Sequence, residues 1–285
     1  MKIKYKHILL LLIITLIIII LIVGYFFINK NNKDDIENMS SFDNNIKNIG
    51  VFVINLDKCS SRLEQISNNL NKQNINFTRI SATDGNDINV DELDSTDISP
   101  EFKKFVINNP SLIGHLGCSM SHTKAIKEFQ NSNYDYCIIL EDDAIIPENF
   151  LNKVKKYINE SNKSYWDLLL LGYFCDDDSL CLENKLYDYN ISSNIRHIGY
   201  YYGTHAYVLN KKTINKVVKT LQPFIWTIDH QFAGLNKKKK LTINSVYPPI
   251  VLVPGNNSIK HWGFSKKINW DNYKTTTNST ARNQC

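Results

Sequence analysis

Apolar residues form one long run near the amino terminus and shorter runs further along the chain. Residues 8–28 are 21 consecutive positions without a charge, dominated by Leu and Ile, and a helix of this length spans about 30 Å of hydrocarbon. The apolar core of a cleaved signal peptide is shorter and ends at small residues, whereas this run ends in Gly24, Tyr25, Phe26 and Phe27. The pattern therefore predicts an uncleaved membrane-spanning anchor, with a signal peptide as the alternative.

After the anchor, apolar residues alternate between the period of a strand and the period of a helix. Runs typical of buried strands occupy residues 50–56, 76–80, 136–140, 166–171 and 206–209. Helical spacing of apolar residues predicts helices over 60–74, 117–129, 150–158 and 213–221. Ser119 or Ser121 is the expected cap of the second of these helices. Strands that alternate with helices indicate an α/β fold, with a mostly parallel sheet flanked by helices.

The charges around the anchor favour a cytoplasmic amino terminus, because Lys2, Lys4 and Lys6 precede the apolar run while both signs follow it. The rest of the chain would then be extracytoplasmic, in the lumen of the ER or Golgi if the host is eukaryotic. We predict that the chain has five parts: a short tail at 1–7, the anchor at 8–28, a flexible polar stem at 29–48, one folded domain at 49–265 and a carboxyl-terminal tail at 266–285.

Composition excludes few function classes. The net charge of +5 is only mildly basic, and the four consecutive lysines at 237–240 lack interleaved aromatic residues, so we predict a solvated loop and no nucleic-acid partner. The six cysteines match no zinc-binding spacing. Cys175 and Cys181 are the best candidates for a disulfide because they are close in sequence, and Cys118 and Cys137 are expected to be buried thiols.

Three acidic residues, Glu141, Asp142 and Asp143, follow the third predicted strand. Adjacent carboxylates repel one another unless a cation or water separates them, and hard divalent cations prefer oxygen ligands. Asp57 and Asp84 also follow predicted strands, and ligands of parallel sheets collect at the carboxyl ends of the strands. The triplet therefore predicts a metal site, with an exposed acidic turn as the alternative.

Seven segments of the folded domain carry a family resemblance. They are VFVINLDKCSSR (51–62), SATDG (81–85), GHLGCSMSH (114–122), CIILEDDAIIPENF (137–150), DLLLLG (167–172), GTHAYVLNKK (203–212) and TIDHQF (227–232). In this order the set resembles glycosyltransferase family 25, which includes bacterial lipooligosaccharide galactosyltransferases and animal procollagen galactosyltransferases. The resemblance covers about residues 49–263 and is much more specific than an acidic triplet alone.

The resemblance implies a GT-A type nucleotide-sugar fold and an inverting transfer of galactose or glucose from a UDP-sugar. The acceptor would be a hydroxyl of a glycan, a lipid-linked glycan or a protein. Asp142 and Asp143 would bind Mn²⁺ or Mg²⁺, and His261 could supply a further ligand. The ion would act as a Lewis acid on the departing nucleoside diphosphate.

The resemblance also assigns residues to the nucleotide and to proton transfer. The positions expected to border the nucleotide are Asn55, Arg62, Asp84, Gly85 and Glu141. Asp229, in TIDHQF, is the expected base for the acceptor hydroxyl. Asp177 and Asp178 are the reserve candidates.

Two histidines, His115 and His205, depart from the residues that are common at these places in the family, which weakens any inference about the donor sugar. Two other function classes stay open. A metal-dependent phosphohydrolase or nucleotidyltransferase would also use carboxylates at a strand end. An inactive glycan-binding protein on the same scaffold is the second, although the intact acidic residues argue against it.

Overall fold

The structure is a computed structural model that describes residue 46 and residues 48–174, 187–199 and 201–254. From Asn48 onward these residues belong to one compact unit. Its strands are β1 Ile49–Asn55, β2 Thr78–Ser81, β3 Tyr136–Glu141, β4 Leu168–Phe174, β5 Tyr187–Asn190, β6 Ile195–Ile198, β7 Tyr202–Asn210 and β8 Ile243–Val246. Its helices are α1 Ser60–Asn71, α2 Pro100–Asn108, α3 Ile113–Asn131, α4 Phe150–Ser161, α5 Ile214–Val218 and α6 Ile228–Lys237.

The eight described strands form one sheet in the order β2-β1-β3-β7-β4-β8-β6-β5. The pairings of β1 with β2 and β3, and of β4 with β8, are parallel, and the other four pairings are antiparallel. Followed across the sheet, these pairings make β6 and β7 run against the other six strands. The predicted α/β architecture is therefore present, with β7 inserted in the opposite direction at the centre of the sheet.

Strands β1, β3 and β4 are buried on both faces of the sheet, which explains why they are nearly continuous apolar runs. In β3, Cys137 and Ile139 point into a cluster shared with α3, α5 and α6, while Ile138 and Leu140 are buried on the opposite face. A smaller cluster forms where α2 packs beside α3. Its buried members are Ile98, Phe102, Val106, Leu116 and Phe224.

The five predicted strands and four predicted helices are all present, with shifted ends. The prediction that Ser119 or Ser121 caps a helix is wrong, because α3 begins at Ile113 and both serines are buried inside it. Gly117 does not interrupt the helix. It allows close packing instead, since a Cβ atom there would lie 2.7 Å from the carbonyl oxygen of Thr83.

The two serines instead connect α3 to neighbouring segments. Ser119 Oγ accepts a hydrogen bond from the Ile228 amide at 3.1 Å, and Ser121 Oγ accepts one from the Thr83 amide at 2.8 Å. Because Ile228 is the first residue of α6, the first bond ties the start of that helix to the middle of α3.

Within the described part of the chain, no helix has the length and apolar character needed to cross a membrane. The predicted anchor at 8–28, most of the stem and the tail at 266–285 lie outside the described residues. The same holds for the Cys175–Cys181 pair. Cys59 is disulfide-bonded, whereas Cys118 and Cys137 carry thiols. Cys137 is fully buried as expected, but the expectation that Cys118 is buried is wrong, because its side chain is only partly buried.

Candidate active site

The acidic triplet lies at the carboxyl end of β3, beside the carboxyl end of β1. The parallel register pairs Ile54 with Glu141, which places Asn55 next to Asp142. Asn55 Nδ2 donates a hydrogen bond to Asp142 Oδ2 at 2.8 Å. Both side chains are buried, so the bond lies where water cannot replace it. Two of the predicted site residues are therefore joined directly by the geometry of the sheet.

The second oxygen of Asp142 also has a protein donor. Arg62, from the first turn of α1, donates from Nη1 to Asp142 Oδ1 at 3.1 Å. Burial raises the pKa of Asp142, and the hydrogen bond from Asn55 and the charge of Arg62 only partly oppose this shift. Each oxygen of Asp142 thus has a donor already, which leaves this carboxylate less available to a new ligand than Asp143.

Asp143 has one carboxylate oxygen that lacks a partner among the described residues. This atom, Oδ1, is buried. Burial, together with the negative charges of Glu141 and Asp142, raises the pKa of Asp143 to about 7. A buried oxygen without a donor is costly, and a bound cation would remove that cost and the repulsion between the carboxylates. The oxygen-rich triplet therefore fits a hard divalent ion, with Asp143 as its first ligand candidate.

Glu141 faces a second group of polar residues. Its Oε1 atom lies 3.3 Å from His122 Nε2 of α3 and accepts a hydrogen bond from Thr204 Oγ1 of β7 at 3.2 Å. Burial raises the pKa of Glu141, but the hydrogen bonds from His122 and Thr204 and the nearby histidine charges outweigh it, so the pKa is lowered overall. Glu141 is therefore held as an anion beside a residue with a raised pKa.

Arg79 of β2 extends the polar network on the side of Asn55. Its Nε donates to Asn55 Oδ1 at 2.9 Å, and it also pairs with Asp57. Ser81 Oγ donates to the same carboxylate at 2.8 Å. The amide of Asn55 thus receives from Arg79 and donates to Asp142, so its orientation is fixed at both ends.

Asp84 and Gly85 lie in the loop after β2. The Asp84 carboxylate pairs with Lys58, which belongs to the loop after β1, and accepts from the Asn86 amide at 3.0 Å. The bond from Lys58 is the main reason that the pKa of Asp84 is lowered. Gly85 has no room for a side chain, since a Cβ atom would lie 2.8 Å from the carbonyl oxygen of Ile113. Asp84 joins the loops after β1 and β2, and no hydrogen bond connects it to the triplet within the described residues.

Asp229, the predicted base, lies in the first turn of α6. Its Oδ2 accepts from the Gly203 amide at 3.0 Å, and its Oδ1 accepts from Thr227 Oγ1 at 2.7 Å and from the His230 amide at 2.9 Å. Burial raises the pKa of Asp229, but these hydrogen bonds outweigh it and hold the pKa below its ordinary value. Asp229 is therefore ionised at neutral pH.

Strand β7 connects Asp229 to the triplet. Gly203 donates to Asp229 and the next residue, Thr204, donates to Glu141. Gly203 has a φ of 81°, a conformation that glycine adopts without strain, and a Cβ atom there would lie 2.6 Å from the Phe174 ring. The amino-terminal end of β7 thus brings the predicted base and the predicted metal site to the same edge of the sheet.

A surface cavity of about 270 Å³ is lined by residues of α6 and of the segments that flank it, and Asp229 is not among them. Trp226 and His230 line it with their rings 6.2 Å apart, edge to face. Phe105 of α2 stacks on Trp226 with ring centroids 5.0 Å apart, and both aromatic side chains remain more than a third exposed. The described residues therefore present an accessible aromatic surface next to the predicted base.

The remaining predicted residues separate into two groups. His261, Asp177 and Asp178 lie outside the described residues. His115 is a helical residue whose carbonyl oxygen accepts from Ser119 Oγ at 2.9 Å. His205 is buried with Nε2 3.3 Å from the carbonyl oxygen of Val251, and its burial lowers its pKa.

Three residues of this site are absent from the sequence-based prediction: Arg79, Thr204 and Tyr207. A fourth, His122, lies on the predicted helix at 117–129, where the sequence favours a hydrogen-bonded partner over a ligand. Its Nδ1 atom lies 3.0 Å from the Tyr207 hydroxyl group, so its ring is held between α3 and β7.

Comparison with known proteins decides the family. The family model described as "Glycosyltransferase family 25 (LPS biosynthesis protein)" matches residues 48–232, which is more than half of the chain and includes every described site residue discussed above. The chain belongs to glycosyltransferase family 25. The resemblance predicted from the seven segments is therefore confirmed.

Curated relatives of this family 25 chain agree with that assignment. Mouse procollagen galactosyltransferase 2 is 26% identical over 126 residues, which cover 43% of this chain and 20% of the relative. Zebrafish (Danio rerio) procollagen galactosyltransferase 1 is 29% identical over 126 residues, covering 43% and 21%. A glycosyltransferase 25 family member of Aedes aegypti is 22% identical over 174 residues, covering 59% and 28%. The matches thus span about a fifth to a quarter of the length of these relatives.

A solved structure from Bacillus anthracis, described as a glucose-1-phosphate thymidylyltransferase in complex with a sucrose, superposes on the chain with a TM-score of 0.38 and 12% identity. The superposition covers 78% of this chain and 96% of that one.

Proposed function

We propose that this family 25 chain is a metal-dependent inverting hexosyltransferase that moves galactose or glucose from a UDP-sugar to a hydroxyl group of a glycan, lipid-linked glycan or protein. The proposal depends most on the state of Asp143. Its buried Oδ1 lacks a partner among the described residues, and its pKa is raised to about 7 beside two other carboxylates. Such a group is destabilised until a cation binds, which is the expected state of a metal ligand in the absence of its metal.

Asp143, with Asp142 beside it, would hold Mn²⁺ or Mg²⁺. The ion, when bound, would neutralise charge on the departing UDP. Asn55 and Arg62 position Asp142 through bonds of 2.8 and 3.1 Å, so these two residues preorganise the triplet. Arg62 also keeps a positive charge at the edge of the site, where diphosphate oxygens would bind.

Asp229 is the proposed base, and Oδ2 is the atom that would take the proton. Within the described residues Oδ2 accepts one hydrogen bond, from Gly203, whereas Oδ1 accepts from both Thr227 and His230. An acceptor hydroxyl group could therefore donate to Oδ2 without displacing a protein donor. The lowered pKa makes Asp229 a weak base, so proton transfer would accompany bond formation to the anomeric carbon rather than precede it.

The aromatic surface beside Asp229 is the proposed acceptor side of the site. Exposed rings such as Trp226 bind the apolar faces of sugars and peptides. His230, which lines the cavity together with Trp226, donates its amide to the predicted base Asp229. Extracytoplasmic location behind an anchor at 8–28 belongs to the same proposal and depends on the sequence alone.

The product of the reaction tests this proposal against the two other function classes. Full-length protein would be incubated with Mn²⁺ and a panel of sugar nucleotides, and the released nucleotide identified by mass. The proposal predicts UDP from UDP-galactose or UDP-glucose. Release of UMP, phosphate or pyrophosphate instead would indicate a phosphohydrolase or nucleotidyltransferase, and binding of glycans without any turnover would indicate a glycan-binding protein.

A further inference from the structure

A second group of ligand-type side chains lies behind the acidic triplet. Cys118 and His122 are four residues apart in α3, so they project from the same face of the helix. Glu141, the last residue of β3, faces them. The Cys118 sulfur, a His122 ring nitrogen and a Glu141 carboxylate oxygen all lie within 4.8 Å of one another. Three ligand types therefore meet at one point, from two different elements of the fold.

The surroundings of His122 resemble those of a metal-binding histidine. Metal-ligating histidines usually bond through the second ring nitrogen to a fixed partner, which sets the tautomer and the ring orientation. His122 Nδ1 lies 3.0 Å from the Tyr207 hydroxyl group, while Nε2 points toward Glu141 at 3.3 Å. Thr204 Oγ1 donates to Glu141 at 3.2 Å, so the carboxylate is also held by a neighbour.

We propose that Cys118, His122 and Glu141 form a binding site for a thiophilic divalent cation of the Zn²⁺ class, distinct from the hard-cation site at Asp143. One sulfur, one imidazole nitrogen and one carboxylate oxygen make a ligand set that favours Zn²⁺ or Co²⁺ over Mg²⁺ or Ca²⁺. This proposal does not depend on the transferase reaction, because it concerns binding alone.

The geometry requires only small movements. Bonds of about 2.0–2.3 Å place the ligand atoms of a tetrahedral zinc site about 3.5 Å apart. The distance of 3.3 Å between His122 and Glu141 already meets this requirement, and the outer limit of 4.8 Å leaves about 1 Å for side-chain rotation of Cys118. Water would complete the coordination, since the Glu141 side chain is 30% exposed. Binding would release the thiol proton of Cys118 to solvent and would move the ring proton of neutral His122 from Nε2 to Nδ1, where Nδ1–H would donate to Tyr207.

Cobalt spectroscopy on the full-length chain tests this site, because a thiolate bound to Co²⁺ gives a charge-transfer absorption that oxygen-only sites lack. Chelator-treated protein would be titrated with Co²⁺ to an equimolar amount. We expect the band to appear in the wild type and to disappear when Zn²⁺ is added. We expect Cys118→Ser to lose the band, and Glu141→Gln to weaken Co²⁺ binding by at least about tenfold.

Two control variants separate this site from its alternatives. Cys137→Ala removes the other thiol of the described residues, which is buried in β3, and the band should remain. Asp143→Asn removes the hard-cation ligand, and the band should again remain. Absence of the band in the wild type, or its persistence in Cys118→Ser with circular dichroism showing a native fold, would overturn the proposal. Loss of the band in Asp143→Asn would also overturn it, because the two sites would then be one.

Discussion

Asn55 and Asp142, 87 residues apart in sequence, are joined by a hydrogen bond of 2.8 Å between Nδ2 and Oδ2. The parallel pairing of β1 with β3 makes this contact, because it brings the last residue of one strand beside the first residue after the other. Arg79 donates to Asn55 Oδ1, and Arg62 donates to the other oxygen of Asp142. Asp142 is therefore positioned by protein donors, whereas Asp143 remains available to a metal ion.

Asn55→Ala should lower both stability and metal affinity. It leaves Asp142 Oδ2 buried without a donor and removes the acceptor of Arg79, which should cost about 1–3 kcal/mol of the free energy of unfolding. Urea unfolding of the metal-free chain measures this cost. Asn71→Ala is the matched control, since Asn71 is exposed at the end of α1 and its loss should change stability by less than about 0.5 kcal/mol. Equal stabilities of the two variants would contradict the positioning role of Asn55.

The raised pKa of Asp143 should make metal-free protein less stable as the pH increases. Its ordinary pKa is 3.8 and its pKa in the fold is about 7, so the folded state binds more protons than the unfolded state between these values. This group alone therefore lowers the free energy of unfolding as the pH rises from about 4 to about 7, with no further change above. Asp143→Asn removes this effect and should raise Tm at about pH 8 by on the order of 5 °C.

The apparent affinity for Mn²⁺ should rise with pH, because the ion binds the deprotonated form of Asp143. Below about pH 7 the ion must displace a proton from Asp143, so its apparent affinity should increase by up to about tenfold per pH unit and then level off. Isothermal titration of chelator-treated protein from about pH 5 to about pH 8 measures this profile. A flat profile in the wild type would remove Asp143 from the ligand set.

The part of the site that sequence could predict lies on parallel strands. Asn55 and the triplet follow β1 and β3, and the rule that ligands bind at carboxyl ends of parallel strands brings them together. Thr204 could not be found in this way. Because β7 pairs antiparallel with β3, with Leu140 beside Ala206, the amino end of β7 reaches the site rather than its carboxyl end. Strand direction depends on long-range pairing, which a strand's own residues do not encode.

The helices show a related limit. Glycine is typical of helix boundaries, yet Gly117 lies inside α3. It is needed there because the loop around Thr83 packs closely against it. That contact joins residues that are distant in sequence, so local propensity alone placed the start of the helix too late. For the same reason, the sequence does not show that His122, which follows in α3, contacts Tyr207 of β7.

Asp229→Asn should remove transfer while leaving donor binding intact. The amide keeps the size of the side chain and one acceptor oxygen but cannot take a proton at neutral pH, so kcat should fall by about 10²- to 10⁴-fold. UDP-sugar affinity, measured by titration, should be unchanged. Asp91→Asn, at an exposed carboxylate, is the control and should retain full activity. Lost donor affinity in Asp229→Asn would place Asp229 in the nucleotide pocket instead.

Trp226→Ala should weaken acceptor binding specifically. The indole ring is 37% exposed, stacks on Phe105 and lines the same cavity as His230. Its removal should raise KM for any acceptor that stimulates UDP release by about three- to tenfold and leave KM for the donor unchanged. Ile107→Ala, which removes an exposed apolar side chain of α2 without ring contacts to Trp226, should change neither value. An increased donor KM in Trp226→Ala would contradict the placement of the acceptor.

The role of Asp143 in Mn²⁺-dependent turnover is the central claim, and a titration of UDP release against Mn²⁺ tests it most directly. Full-length wild type, Asp143→Asn and Asp135→Asn would be compared at saturating UDP-sugar. Asp135 is exposed and immediately precedes β3, at the end opposite to the triplet, so it is a control for a carboxylate next to the same strand but far from the site. We predict Mn²⁺-dependent UDP release by the wild type and Asp135→Asn, and a loss of at least about 10²-fold in Asp143→Asn. Near-normal Mn²⁺-dependent release by a folded Asp143→Asn variant would contradict the account.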